Sequence, residues 1–320
     1  MAKLVKFLLD ERIAQVRSRL HIGQVEGAIY EATIRVSDLE RSLKALKDTD
    51  NTELFRYFPV AAVATLEAHF RSSVAMIVDK GGEYFKRGVA LVSDKLKASE
   101  IIPMIHKKNV SIGEVVAYSL PFSSLAHLED VFDALLGQKF KQLAKAAKDP
   151  YFTRNNVPEC ELIAGDISGL WENLHKTFHD RHVIAHESAP QFVMDYDKAS
   201  TAVNSVKLII EIIDAVFWST VWRDEPLTQY EMNMAAWERY KHTRIMLATA
   251  IRVKRKEYDG CLGISRFRVL HFQWKNWVAG WCSFSADRFM GGSIRPMIQA
   301  SELSQAYEDR VKQVERITGF

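Results

Sequence analysis

The sequence predicts an all-α protein. Apolar residues recur at helical spacing through nearly the whole chain, no stretch alternates apolar and polar residues as a half-buried strand does, and the apolar segments are too long for typical strands. With 320 residues, 48% of them apolar, the chain can bury a substantial core.

From the start, Leu4, Phe7, Leu8, Ile13, Val16 and Leu20 form one helical stripe, followed by a break near His21-Ile22-Gly23. Val25, Ile29, Ile34, Leu39, Leu43 and Leu46 form a second, less regular one, and Asp48-Thr49-Asp50-Asn51 reads as a turn. Pro59 opens a long helix with Val63, Leu66, Phe70, Val74 and Ile77 on one side, ended by Gly81-Gly82. Residues 83–110 read as one or two further helices, and Ser119-Leu-Pro-Phe-Ser-Ser interrupts the pattern. Ser124 is placed to cap a helix carrying Leu125, Leu128, Val131, Phe132, Leu135 and Leu136. Asp149-Pro150 through Pro158 reads as a polar loop. A helix from about Ile167 stops before Pro190, and 197–222 form an apolar helix whose length outweighs its β-branched composition. Asp224-Glu225-Pro226 marks a domain boundary. Beyond it the sequence predicts a long helix over about 228–257, a Trp-rich helix over about 265–284, a glycine loop and a last charged helix.

A net charge of +3 is too small to imply a nucleic-acid partner, although a local basic surface is compatible with it. No stretch offers the roughly 18 uncharged apolar residues that span a bilayer. The first fifteen residues carry Asp10 and Glu11 within their apolar patch and no small-residue cleavage site follows, so no signal peptide is expected. Three widely spaced cysteines, Cys160, Cys261 and Cys282, argue against a disulfide framework and for the reducing cytoplasm.

The densest chemistry is His175-x3-His179-x2-His182-x3-His186, which puts four of the ten histidines near one helix face. Three readings stay open on these residues. His175 and His179 suit a half-buried face with no chemistry. Histidines at i and i+4 suit zinc, but neither the intervening glutamate of His-Glu-x-x-His nor a nearby cysteine is present. Acid–base chemistry is the third reading, since imidazole changes charge near neutral pH. Arg181 beside His182 and His186 favours this one. RNA carries its own nucleophile, the 2′-hydroxyl, so its cleavage needs a base, an acid and a positive charge at the phosphate, all available from His and Arg. An ideal helix sets Arg181 about 140° from His186. Their convergence requires the long reach of arginine, a distorted helix end or a partner chain, and a symmetric dimer supplies the last.

The segment Phe178-His-Asp-Arg-His-Val-Ile-Ala-His-Glu187 resembles the HEPN signature, an arginine, then four to six residues opening on a polar one, then histidine. Val63-x2-Leu66-Glu67-Ala68-x-Phe70, Ile112-Gly-Glu-Val-Val-Ala-x-Ser-Leu-Pro-Phe and Leu128-Glu129-x2-Phe132-x2-Leu135-Leu136 are similar to the RiboL-PSP-type branch, over roughly 58–220. The resemblance implies a helical bundle, usually dimeric, with both motifs lining one cleft. It also implies a metal-independent, cofactor-free endoribonuclease leaving a 2′,3′-cyclic phosphate and a 5′-hydroxyl. By position, Arg181 would stabilise the phosphate, His186 would be the acid–base group and His182 an auxiliary, with His179 and Glu67 supporting. Asp180 and Glu187 read as solvated flanks. Active members act as toxins or in abortive infection and antiviral defence, which implies RNA (tRNA included) as substrate and an antitoxin or phage-derived trigger as partner. Inactive members only bind RNA or protein, and that alternative stays open beside a metal protein built on the histidines.

The last third resembles the LprI-like lysozyme-inhibitor domain through Thr228-Gln229-x-Glu231-Met232-Asn233, Trp274-x2-Trp277-x4-Cys282, Gly291-Gly292-Ser293-x2-Pro296 and an Arg310-bearing final helix. Ala235 and Glu302 stand where that exported family commonly has cysteines. A lone Cys282 cannot form the usual bridge, so packing of Trp274, Trp277 and Trp281 is expected to hold the domain. Lysozyme inhibition is not carried over; a sensing, partner-binding or merely stabilising role is expected. The basic run Arg252-Val-Lys-Arg-Lys-Glu257 offers Lys254, Arg255 and Lys256 either to RNA phosphates or to solvent at a helix C-terminus. The expected organisation is therefore an N-terminal helical extension over 1–57, a HEPN-like bundle over 58–222 and a small LprI-like helical domain over 227–320.

Overall fold

The computed structural model describes residues 13–16, 25–49, 52–94, 110–155, 157, 160–187, 189, 191–258, 260 and 263–318, with side chains of the first long helix from residue 31 onward. Most of the expected first helix, the break at 21–23, residues 95–109 and Cys261 lie outside the described residues. Among the described residues every regular element is helical: α1 (Val25–Ala45), α2 (Thr52–Phe55), α3 (Tyr57–Asp79), α4 (Gly82–Ala90), α5 (Ile112–Ser119), α6 (Leu125–Leu136), α7 (Phe140–Lys145), α8 (Pro150–Arg154), α9 (Ile167–His186), α10 (Tyr196–Ser219), α11 (Gln229–Glu257), α12 (Gly263–Ala286) and α13 (Arg295–Glu315), with a 3₁₀ turn at Asp287–Phe289. The fold class is all-α. No described helix is long and apolar enough to cross a membrane. The chain divides into two compact units, 1–223 and 224–320.

The first unit is built around α3. Its predicted stripe Val63, Leu66, Phe70, Val74 and Ile77 is wholly enclosed, each side chain contributing roughly 1.5–3 kcal/mol of burial. Helices α1, α5, α9 and α10 all pack against it. Phe70 meets Phe132 edge-on at 5.3 Å, and Phe132 in turn touches Phe140 and Phe217, each at 5.1 Å, so one aromatic cluster ties α3, α6, α7 and α10. Two backbones approach closely at Gly113, where a Cβ would lie 2.1 Å from the Ala75 carbonyl oxygen, and the Gly113 N–H donates to Asp79 Oδ1 at 2.8 Å. Helix α1, from the expected N-terminal extension, packs on α3 and α10 within the same unit, and Glu40 of α1 pairs with Lys207 of α10 at 2.9 Å.

The expected N-cap of α6 is visible, and its C-terminus is capped as well. Ser124 Oγ accepts from the His127 N–H at 3.3 Å, and Gly137 closes α6 in the left-handed region at φ 68°. One expected loop is corrected: the start of 149–158 is the short helix α8. Asp149 accepts from the Tyr151 N–H at 2.8 Å and Pro150 occupies the first turn, where its missing N–H costs nothing.

In the second unit, α11 and α13 run parallel. Asn233 Nδ2 donates to the Ser293 carbonyl near their N-terminal ends and Lys254 Nζ to the Ile317 carbonyl near their C-terminal ends, both at 3.0 Å. The intervening α12 lies antiparallel against α13, with Trp274 on Tyr307 at 5.1 Å and Arg310 over the Phe267 and Trp274 rings. The expectation that three tryptophans hold this unit is corrected. Trp274 packs on the core of Leu247, Phe267, Val278, Cys282, Leu303 and Tyr307, but Trp277 and Trp281 are 62% and 54% exposed. Three helices bury only a narrow stripe of α12, and these two rings fall outside it.

Candidate active site

The histidines and Arg181 lie on α9. Asp166 caps this helix by accepting from the Gly169 N–H at 2.9 Å. Its buried stripe is Ile167, Leu170, Trp171, Leu174, Thr177 and Phe178. Arg181 continues that stripe at the next i+3 and i+4 position, so its guanidinium is directed to the edge of the core. There it meets Glu67 of α3, with Nη2 3.8 Å from Oε1. The other carboxylate oxygen, Oε2, is 3.4 Å from Arg71 Nη2. Side-chain exposures of 15% for Glu67, 18% for Arg71 and 30% for Arg181 make this a two-guanidinium, one-carboxylate cluster largely withdrawn from water. Arg71 also lies over the Phe122 and Tyr118 rings at 5.4 and 6.0 Å.

His175, His179, His182 and His186 are all exposed and share the opposite side of α9. The His182 and His186 rings stand 5.0 Å apart, tilted by 51°. The helix is regular to its end, with the Glu187 N–H still bonded to the Val183 carbonyl at 2.9 Å. Distortion of the helix end therefore does not bring Arg181 to His186, and among the described residues no hydrogen bond or ion pair joins the two. One chain thus presents a guanidinium at its core edge and an imidazole pair to solvent, with His182 about 100° and His186 about 140° from Arg181 around the helix.

Asp180 corrects an expectation. It is 7% exposed rather than a solvated flank, and burial pushes its carboxyl above the usual carboxylate range against the opposing pull of Lys176, His179 and Lys198. Glu187 is exposed, as expected. Among the described residues no three His, Cys, Asp or Glu side chains come together as a metal site requires. Two further residues act on this region. Arg71 sits at i+4 from Glu67, a spacing visible in the sequence. Arg56 donates to the carbonyls of Ala189 and Phe192 at 3.0 and 2.7 Å and so fixes the chain just beyond His186; no local pattern signals it.

The basic run divides. Lys254 is turned inward, pairing with Glu257 at 3.0 Å besides its bond to the Ile317 carbonyl, whereas Arg255 and Lys256 are exposed at the end of α11.

No family model, curated protein or solved structure matches this chain.

Proposed function

We propose that this protein is a HEPN-type, metal-independent endoribonuclease whose working site joins Arg181 of one protomer to His182 and His186 of another. The observation that carries the reading is the arrangement of α9. A guanidinium is held at the core edge by a carboxylate from a neighbouring helix, and two imidazoles stand free on the other face, 5.0 Å apart. A symmetric pair of such helices supplies twice over the positive charge and the proton carriers that phosphodiester transfer needs.

In the proposed reaction an imidazole of the His182–His186 pair takes the 2′-hydroxyl proton as the 2′-oxygen attacks phosphorus. The bond from phosphorus to the 5′-oxygen breaks, and an imidazolium returns a proton to that oxygen, leaving a 2′,3′-cyclic phosphate and a 5′-hydroxyl. Arg181 balances the charge gathering on the non-bridging oxygens. A role as a toxin or antiviral effector follows from the same resemblance, and control through the second unit is a further part of the proposal.

The test is incubation of purified protein with total RNA and tRNA in the presence of chelator. The wild type cuts RNA, while His186→Ala and Arg181→Ala, correctly folded, do not. Equal cutting by His186→Ala overturns the assignment.

A further inference from the structure

Helix α12 carries Arg266, Arg268 and Lys275 and not one carboxylate over its 24 residues. One flank of α12, beside the stripe that packs on α13, is aromatic. Trp277, Trp281 and Phe284 are 62%, 54% and 69% exposed, and Leu270 on the same face is half exposed. The Trp277 and Trp281 rings lie parallel within 10° at 5.9 Å, and Phe284 follows at 6.0 Å from Trp281, so the three rings form a continuous run. Gly280 between the tryptophans leaves the helix surface open, since a Cβ there would meet nothing within 4 Å. From Leu270 to Phe284 the face extends about 21 Å. Arg266 lies on the same flank near the N-terminus of α12, and Arg255 and Lys256 are exposed in the last turn of α11, the helix that precedes it in sequence.

We propose that the exposed Trp277–Trp281–Phe284 face of α12 is a stacking platform for single-stranded RNA, with Arg266 and the basic end of α11 taking the phosphates. The inference rests on the ribonuclease reading only for the choice of RNA. Flat rings exposed in series, on a helix that carries an arginine on the same flank and no carboxylate of its own, match unpaired bases on a polyanionic backbone. Stacking of this kind tolerates any base, so the platform holds strands without reading sequence. The second unit thereby gains a concrete role, presenting single-stranded segments to a nuclease that needs an accessible 2′-hydroxyl.

The probe is a fluorescein-labelled 2′-O-methyl oligouridine of 12 nucleotides, which lacks the nucleophile and cannot be cut. Binding is followed by anisotropy with the full chain. Trp277→Ala/Trp281→Ala should raise Kd at least tenfold and shift the melting temperature little, because both residues are more than half exposed. Arg266→Ala should weaken binding less and flatten its salt dependence. Absence of binding by the wild type, or an unchanged Kd in the double variant, overturns the proposal. So does a double variant that binds RNA normally but changes from dimer to monomer in light scattering, which would make this face an interface between copies. The two readings separate cleanly. Tight binding with no cleavage of unmodified RNA sinks the nuclease and leaves the platform, whereas cleavage with Kd unmoved by the double variant sinks the platform and leaves the nuclease.

Discussion

Replacing Glu67 by Gln keeps the side chain's shape and removes the one charge between Arg71 and Arg181. At 3.4 and 3.8 Å, an effective dielectric near 20 gives each pair a gross attraction of about 4–5 kcal/mol. Desolvating the carboxylate offsets much of this. Breaking a fully buried pair costs about 3–5 kcal/mol and an exposed one about 0–1 kcal/mol. With exposures of 15–30% across the cluster, a loss of ~1–2 kcal/mol is expected, which for a unit of this size lowers the melting temperature by roughly 2–8 °C. The two guanidiniums then repel, and Arg181 leaves the core edge. On the proposed nuclease reading Arg181 binds the phosphate, and displacing such a group by about 1 Å costs up to ~100-fold in rate, so RNA cleavage should fall by about 10- to 100-fold. Calorimetry and a gel-based cleavage assay measure the two effects on the same protein. A Glu67→Gln variant that melts and cuts like the wild type refutes the view that this carboxylate positions Arg181.

Two further outcomes follow from other parts of the molecule. Lys207 and Lys44 each bond Glu40 at 2.9 Å and hold its carboxyl down at about 2. Because its folded pKa lies below the unfolded value, the stability it contributes is present above about pH 4.5 and is lost as pH falls towards 2. The pair is partly solvated, so the gain is at most ~1 kcal/mol. Urea denaturation of wild type and Glu40→Gln should therefore differ at pH 7 and converge near pH 2; a constant difference contradicts the pairing. Cys282 is 2% exposed, and burial beside Glu302 raises its thiol above the usual range, whereas Cys160 is half-buried. A mild alkylating reagent should label Cys160 well before Cys282 in the native protein, as peptide mapping will show, and the reverse order contradicts the packing of α12 on α13.

The helices are legible in the sequence where one apolar face meets one core. The spacing of Val63, Leu66, Phe70, Val74 and Ile77 identifies α3, and all five are enclosed. Pro59 suggests a start two residues late, because proline is tolerated in the first turn as well as at the opening position. Asp149-Pro150 looks like a loop dipeptide but is also a helix start, and only the chain beyond it decides between the two. The Trp277 and Trp281 spacing reads as core because periodicity reports a face without saying whether anything covers it. Asp180 stands in a row of polar letters, yet its position on α9 turns it inward.

For the candidate site, the sequence supplies the residues and their angular separation but not their partners. Glu67 and Arg181 are 114 positions apart, and nothing local specifies that α3 and α9 set them 3.8 Å from one another. The regular end of α9 likewise becomes evident only in three dimensions, and it is why the proposed mechanism calls on a second chain.

Mixing two inactive variants tests that central claim most directly. Equal amounts of Arg181→Ala and His186→Ala protein, unfolded together and refolded so that subunits exchange, form heterodimers in half of the pairs. If each site takes its arginine and its histidines from different protomers, every heterodimer holds one intact site of two. The mixture then regains about a quarter of wild-type RNA cleavage. A mixture that stays as inactive as its components, beside an active wild type treated in the same way, contradicts the shared site.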